Sequence, residues 1–333
     1  MIIDVHDHFT TVPAPLRQYR AQMLKETNPK PFDTSVISDD DLREAVVPRQ
    51  IQHMIDKGID RLIFSPTAGG MGHPDGTPEH SLLWSRACKD MINRIGNLFP
   101  DRFLKSCQLP QSPGTEPKDW LAELEFRVKE QGFVACNVNP DMGGGYPFTP
   151  SPGNEWWFPL YQKLVELDIP GHWHVSNTHN PAFHINGTHY IAWHHASAFE
   201  MMWHHEKIWG TFPSLKLIAS HGGGSVVLQR NRTRSLTTAA NIDFEAGIRK
   251  FYWDLACYDK ETIETLIRVI GPDNCMFATE MWGTANKIDP RTGRFFDDTL
   301  HYYQEMAGLS AEDFYKVTEG NARRVYSRAK FDL

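Results

Sequence analysis

Short apolar stretches alternate with longer segments in which apolar residues recur every three or four positions. The short stretches are typical of buried strands, and the longer ones of amphipathic helices. Strands are predicted at residues 1–8, 60–66, 103–109, 133–139, 169–175, 215–220, 251–255 and 274–279. Helices are predicted over about 40–57, 81–98, 118–131, 156–167, 196–211 and 261–270, after Gly224, and over 297–307 and 310–328.

This alternation of strands and helices predicts an α/β fold in which parallel strands are joined by right-handed crossovers. Eight such strands most simply close into a (β/α)8 TIM barrel, here a single domain spanning 1–333. The segments 9–40 and 177–195 lack sustained periodicity and are predicted to be long loops on the active face. An open doubly wound sheet is the alternative, but no GxGxxG follows the first strand.

Composition narrows the class of protein. The chain has 333 residues and no apolar run of transmembrane length, and it starts with a predicted strand instead of a leader peptide. Its five cysteines are widely spaced and form no CxxC, which is typical of reduced thiols. The formal charge of −7 argues against a nucleic-acid surface. We expect a cytoplasmic protein that binds neither membrane nor nucleic acid.

Histidine is the unusual feature of the composition, with 16 in the chain. His6 and His8 alternate along the first strand and therefore share a face. His174, His221 and Glu280 end later predicted strands, and the strand ends of a barrel meet at one face. Any one of these side chains alone would more often be a hydrogen-bonded cap. Together they predict a zinc site that is formed by three of these imidazoles and the carboxylate. Such a site leaves a position for a water molecule, and the metal would lower the pKa of that water.

Other polar residues allow two interpretations. His194 and His195, like His204 and His205, are adjacent in sequence and lack the i, i+4 spacing of a zinc site, so packing is the favoured interpretation. Asp254 ends the seventh strand and either orients His221 or takes part in the chemistry.

The strand-end pattern resembles the amidohydrolase superfamily, and within it the branch that contains aminocarboxymuconate semialdehyde decarboxylase. Further stretches are similar to the 4-oxalomesaconate hydratases: 64–66, 109–114, 132–141, 277–281, 288–290 and 296–298. The resemblance implies that His6, His8 and His174 bind the metal. It also implies that Glu280 is either a fourth ligand or the base that deprotonates water, and that His221 is an acid/base or polarises a carbonyl.

The resemblance also implies the cofactor and the substrate contacts. The fourth strand carries Asn137 and no lysine, so one metal per chain is expected, Zn²⁺ with Mn²⁺ as the alternative. The candidates for binding substrate are Thr67, His73, Asn139, Asn177, His189, Tyr190, Arg232 and Arg234. Thr67 stands where the hydratases are expected to have an arginine. A homo-oligomer, dimeric or larger, is expected.

The function implied is a metal-dependent hydratase that adds water to the C=C bond of an unsaturated keto polycarboxylic acid in aromatic acid catabolism. Two alternatives use the same metal site: a nonoxidative decarboxylase of an aromatic or muconate-type acid, and an amide or ester hydrolase. A barrel that holds metal only for structure or binds another protein is a further alternative. The water-accessible ligand position argues against it, because structural zinc sites are usually closed.

Overall fold

The computed structural model describes residues 1–66, 73–146, 149–183, 185–281 and 287–332. Eight parallel strands lie in sequence order around a single sheet. They are β1 (Ile3–Phe9), β2 (Arg61–Pro66), β3 (Phe103–Gln108), β4 (Ala135–Val138), β5 (Gly171–Trp173), β6 (Leu217–Ala219), β7 (Tyr252–Asp254) and β8 (Cys275–Met276). Backbone hydrogen bonds from Val5 to Phe277 and from Glu280 to His6 join the last strand to the first. The predicted (β/α)8 barrel is confirmed.

Helices cover the outside of the barrel. They are α1 (Ala14–Met23), α2 (Asp39–Val46), α3 (Gln52–Lys57), α4 (Pro78–Leu98), α5 (Pro117–Gln131), α6 (Phe158–Leu167), α7 (Asn186–Trp203), α8 (His205–Thr211), α9 (Arg230–Ala239), α10 (Phe244–Ile248), α11 (Lys260–Ile270), α12 (Leu300–Gln304), α13 (Ala311–Tyr315) and α14 (Asn321–Val325). A π-helical turn joins α2 to α3 and another joins α13 to α14. Within the described residues, no helix is both long and apolar enough to cross a membrane.

The barrel interior changes character from bottom to top. At the amino-terminal end of the strands it is apolar, with Ile3, Val5 and Ile63 packed against the carboxy-terminal residues Tyr326 and Phe331. Towards the carboxyl ends of the strands the buried side chains become polar: Ser65, Ser106, Gln108, Asn137, His172 and His174. Buried polar groups of this kind cost stability unless they are paired, so their concentration at one end marks that end as the functional face.

A β-bulge in β1 sets the direction of the histidines. The register of β1 against β2 shifts between Asp4 and Asp7, so Val5 faces the apolar interior while His6, one residue later, also faces inward. The buried carboxylate of Asp4 supports the bulge by accepting the backbone N–H of His6 at 3.0 Å. Without this extra residue, strand alternation would direct His6 and His8 outward.

Two segments predicted to be loops contain helices, so those predictions were wrong. In the 9–40 segment, α1 begins directly after Pro13, with a proline in its first turn. Proline suits that position because the N–H it lacks would have no partner inside the helix. In the 177–195 segment, α7 begins at residue 186, ten residues before the predicted start. The early start brings residues 189–195 onto a helix at the active face.

Candidate metal centre

Three histidines from two strands meet at the carboxyl end of the barrel. The Nε2 atom of His8 lies 3.1 Å from Nε2 of His6 and 3.3 Å from Nε2 of His174. All three side chains are buried, none more than 2% exposed. Together with a carboxylate oxygen of Glu280, these nitrogens lie within 4.8 Å of one another. In a tetrahedral site with metal–nitrogen bonds of about 2.0–2.1 Å, ligand nitrogens are about 3.3–3.4 Å apart, which agrees with this spacing.

The hydrogen bond at the second ring nitrogen, Nδ1, determines the tautomer of each of these histidines. Nδ1 of His8 lies 2.9 Å from the carbonyl of Pro66, and Nδ1 of His174 lies 2.8 Å from the carbonyl of Val175. A carbonyl only accepts, so both Nδ1 atoms carry the hydrogen. Nδ1 of His6 donates to the Asp254 carboxylate at 2.9 Å. All three Nε2 atoms therefore present lone pairs to one another. A cation among them relieves that repulsion, so the donor set fits a metal ion.

Burial keeps these imidazoles neutral, as a metal ligand must be. It lowers the pKa of His6 to about 3, despite the opposing charge of Asp254. Burial also lowers the pKa of His8 well below its ordinary value, and neighbouring His174 and His6 add to this. The pKa of His174 is lowered for the same reason, although Glu280 opposes it. The cluster is therefore able to bind a metal without first losing protons from its rings.

Glu280 follows β8 in a strained backbone conformation. Its φ of 52° lies in the left-handed region, which costs on the order of 1–3 kcal/mol for a residue with a side chain. The hydrogen bond from its backbone N–H to the His6 carbonyl, at 2.8 Å, holds it there. Tyr258 donates to Oε2 at 2.6 Å. The other oxygen, Oε1, faces the Nε2 atoms of His8, His174 and His221 at 3.9, 3.8 and 3.7 Å.

The charge of Glu280 is maintained by its surroundings. Burial alone would raise the pKa of this carboxyl, but the nearby rings of His221 and His174 outweigh it and hold the pKa well below its usual range. His221, in contrast, has a raised pKa. Burial opposes its charged form, but the carboxylates of Glu280 and Asp254 outweigh that cost. The pair therefore places a carboxylate base beside an imidazole that holds a proton more readily than usual.

Asp254, at the end of β7, connects three strands. Its Oδ2 accepts from Nδ1 of His6 and lies 2.7 Å from Nε2 of His172, while its Oδ1 accepts the backbone N–H of His221 at 2.8 Å and that of Ala256 at 3.1 Å. Both oxygens are fully used. Asp254 thus orients His221 through the backbone of that residue, whose φ of 54° is also left-handed, and not through its ring.

Four of the candidate substrate-binding residues form hydrogen bonds with neighbouring polar groups, two at the active face and two in the interior. Tyr190 donates to the side-chain oxygen of Asn177 at 2.8 Å, and both are partly exposed at the active face. Asn139 is buried and donates to Ser176 at 3.0 Å. His189 is fully buried and lies 2.6 Å from the Asp141 carboxylate.

Of the remaining candidates, the three that the structure describes lie outside the cluster of imidazoles. His73 is buried and donates from Nδ1 to the Gln111 carbonyl at 2.6 Å. Arg232 and Arg234 are exposed on α9, where Arg234 lies 3.9 Å from Glu245. Thr67 lies outside the described residues. The substrate contacts of these four residues stay predictions.

His194 lies in the site, although packing was the interpretation favoured from its sequence context. It lies on α7 and is buried, with its ring centroid 4.6 Å from that of His221 and 5.3 Å from that of His174. Tyr190, one helical turn earlier, stacks over it at 6.3 Å. The i, i+4 spacing of Tyr190 and His194 was the available signal, but it has meaning only once the segment is known to be helical.

The chain is similar to proteins of one known family. The family model described as amidohydrolase matches residues 3–328. The chain is 36% identical over 334 residues to 2-keto-4-carboxy-3-hexenedioate hydratase of Sphingobium sp. (strain NBRC 103272 / SYK-6), an alignment that covers 98% of this chain and 96% of that protein.

Solved structures give the same result for the fold. The crystal structure of 4-oxalomesaconate hydratase from Rhodopseudomonas palustris superposes with a TM-score of 0.89 at 37% identity, covering 98% of this chain and 96% of that one. The structure of 2,6-dihydroxybenzoate decarboxylase from Rhizobium superposes with a TM-score of 0.71 at 19% identity, covering 98% of each chain. At that identity the second likeness extends to the fold alone.

Proposed function

The chain belongs to the amidohydrolase family, and from that membership we propose that it is a zinc-dependent hydratase of an unsaturated keto polycarboxylic acid in aromatic acid catabolism. Two relatives with more than a third of their residues in common carry the name of a hydratase of such an acid. The proposal goes further than their names, because it assigns roles to residues of this chain.

One observation carries the proposal: a carboxylate oxygen of Glu280 faces the metal ligands and lies within hydrogen-bond distance of no other group among the described residues. Oε1 of Glu280 lies 3.8–3.9 Å from the Nε2 atoms of His8 and His174, which is farther than those nitrogens lie from each other. Tyr258 holds the other oxygen. Glu280 is thus positioned to accept a proton from a water molecule between itself and the imidazoles. Hydration needs such a base, because water is itself the nucleophile.

His6, His8 and His174 would hold the metal, and when bound it supplies Lewis acidity that polarises water or a substrate oxygen. In the proposed reaction Glu280 takes a proton from water as the water oxygen bonds to the carbon β to the keto group. The electrons of the C=C bond move towards the keto oxygen, and His221 gives a proton to the α carbon. Nε2 of His221 is 3.7 Å from Oε1 of Glu280, so the proton taken from water can return to His221 and restore both groups.

The experiment is a product analysis with purified, zinc-loaded protein. Incubation with 4-oxalomesaconate and with 2-keto-4-carboxy-3-hexenedioate should remove the enone absorbance of at least one of them and yield a product heavier by one water. Release of carbon dioxide without a gain of water would refute the hydratase and favour the decarboxylase. Turnover of amide or ester substrates in place of both acids would favour the hydrolase.

His221→Asn is expected to keep the metal and lose at least about a hundredfold in turnover, the usual scale for a general acid or base. The ring of His221 donates from Nδ1 to the Ala256 carbonyl, at 3.1 Å, and lies outside the group formed by the other three imidazoles and Glu280. Metal content by elemental analysis and steady-state rates decide the outcome. Loss of metal from this variant would make His221 a ligand and overturn its proposed role.

Two finer features belong to the same proposal. All five cysteines are free in the structure, which supports a reducing compartment and hence a cytoplasmic enzyme. We also propose that the enzyme works as a homo-oligomer, for which the family resemblance is the only support. Sedimentation of the purified chain at several concentrations tests the second point, and a monomer at all of them would contradict it.

A further inference from the structure

His194 stands at the edge of the metal centre but does not belong to the group that would hold the metal. Each of His174, His194 and His221 contributes a nitrogen, and these three nitrogens lie within 4.8 Å of one another. His194 comes from α7, whereas the other two follow β5 and β6. It therefore enters the site from the helix at the active face, on the side where Tyr190 and Asn177 lie.

The backbone of Val175, two residues after β5, fixes the tautomer of His194. The N–H of Val175 donates to Nε2 of His194 at 3.4 Å, and a backbone N–H can only donate. Nε2 therefore carries the lone pair, and the hydrogen of this neutral ring is on Nδ1. The carbonyl of the same Val175 accepts Nδ1–H of His174. The backbone of Val175 thus sets the proton positions of both a candidate metal ligand, His174, and His194.

The hydrogen on Nδ1 of His194 has no acceptor among the described residues. No hydrogen bond of these residues uses that nitrogen, and it is not among their fully buried atoms that lack a partner. His221 does not need it, because Nδ1 of His221 bonds the Ala256 carbonyl and its Nε2 faces Glu280. Within the part of the chain that the structure describes, His194 thus offers an unpaired donor, and its ring lies beside that of His221.

The charges around the site indicate what that donor is for. Among the described residues, the ion pairs of Glu280 are formed by histidines and by no Arg or Lys. The stretches 67–72 and 282–286, which are not described, contain no Arg or Lys in sequence. Next to Glu280, a substrate carboxylate would therefore meet imidazoles and, among the described residues, no Arg or Lys that pairs with Glu280. A buried carboxylate oxygen needs such partners to offset its desolvation.

Resting on the proposed hydratase function, we propose that His194 determines specificity for a polycarboxylate by donating a hydrogen bond from Nδ1 to one carboxylate oxygen of the substrate. The bond holds the substrate next to His221, which supplies the proton to carbon. His194 binds in this way as a neutral ring with a fixed proton. It takes no part in the proton transfers of the reaction.

Two matched variants separate this role from support of the Val175 backbone. In His194→Asn the amide nitrogen replaces Nδ1 and keeps a donor, whereas in His194→Gln the amide lies near the position of Nε2 and keeps only the acceptor for Val175. A hydrogen bond to a charged group corresponds to a change of about 10- to 100-fold. We expect His194→Gln to raise KM by that factor with kcat much less affected, and His194→Asn to stay within a few-fold of the natural protein.

A second readout is independent of turnover. Calorimetric titration with tricarballylate, a saturated tricarboxylate, should show binding weakened about 10- to 100-fold in His194→Gln, with zinc content unchanged. Equal binding by the two variants and the natural protein would overturn the proposal. Loss of zinc from both variants would also overturn it, as would a natural protein that does not bind tricarballylate. If His194→Gln does not fold, His194→Phe fills the volume without the donor. Failure of the natural protein to hydrate any acid would refute the proposed function, while the titration would still decide the role of His194.

Discussion

Replacing Glu280 with glutamine is expected to lower the rate of hydration by about a thousandfold while the metal stays bound. Loss of a positioned proton acceptor usually costs about 10²- to 10⁴-fold, and glutamine accepts no proton from water. The amide keeps the size of the side chain and can still accept a hydrogen bond from Tyr258. Single-turnover rates and elemental analysis on the same preparation measure the two quantities.

Tyr258→Phe is the matched control for this prediction. It removes the hydrogen bond to Oε2 but leaves the carboxylate beside His8 and His174, so a much smaller loss of rate is expected. A Glu280→Gln variant that loses its metal would make Glu280 a ligand. One that keeps most of its activity would eliminate the proposed base. The strained φ of 52° is common to the natural protein and the variant, so unfolding temperatures should be similar.

The strands could be predicted from sequence because each is a short, largely apolar run with a polar residue close to its end. Parallel strands bring those ends to one face, so topology alone predicts that His6, His8, His174 and Glu280 lie at the same end of the barrel. No distance was needed for that inference, only the alternation of strands and helices. Polar side chains at positions where an apolar one would pack better are the informative signal in such a barrel.

Other features of the site depend on contacts between distant parts of the chain. The bulge in β1 depends on Asp4, whose carboxylate bonds His6 and also the side chain of Thr279 on the other side of the closure. The left-handed backbone of Glu280 depends on a hydrogen bond to His6. Neither is visible in local propensity, because the stabilising partner is more than 270 residues away in sequence.

The sequence of its first turn explains why the start of α7 was not predicted. Its first turn contains Gly187 and Thr188, which are poor helix formers, and its N-cap residue makes no side-chain capping bond. Packing of later residues such as Ala198 and Met201 stabilises the helix instead. With the segment interpreted as a loop, His194 had no predictable direction, and its place beside His221 could come only from the structure.

Replacing His174 with alanine is expected to remove the metal and with it nearly all activity. His174 supplies one of three lone pairs, and the two that would remain, on His6 and His8, come from a single strand. Losing one of three protein ligands leaves a site that no longer binds zinc tightly. Elemental analysis after dialysis should find about one zinc per chain in the natural protein and almost none in the variant.

His204→Ala is the control for this loss, because His204 is partly exposed at the end of α7 and pairs with Glu200, outside the cluster. It should retain full zinc. Chelation of the natural protein separates loss of metal from damage to the fold. A ligand that binds only the folded state stabilises it, so the chelated protein and His174→Ala should both unfold at lower temperature, and added zinc should restore only the first. Full zinc content in His174→Ala would contradict this assignment, since the lone pair on His174 would then not be needed to hold the metal.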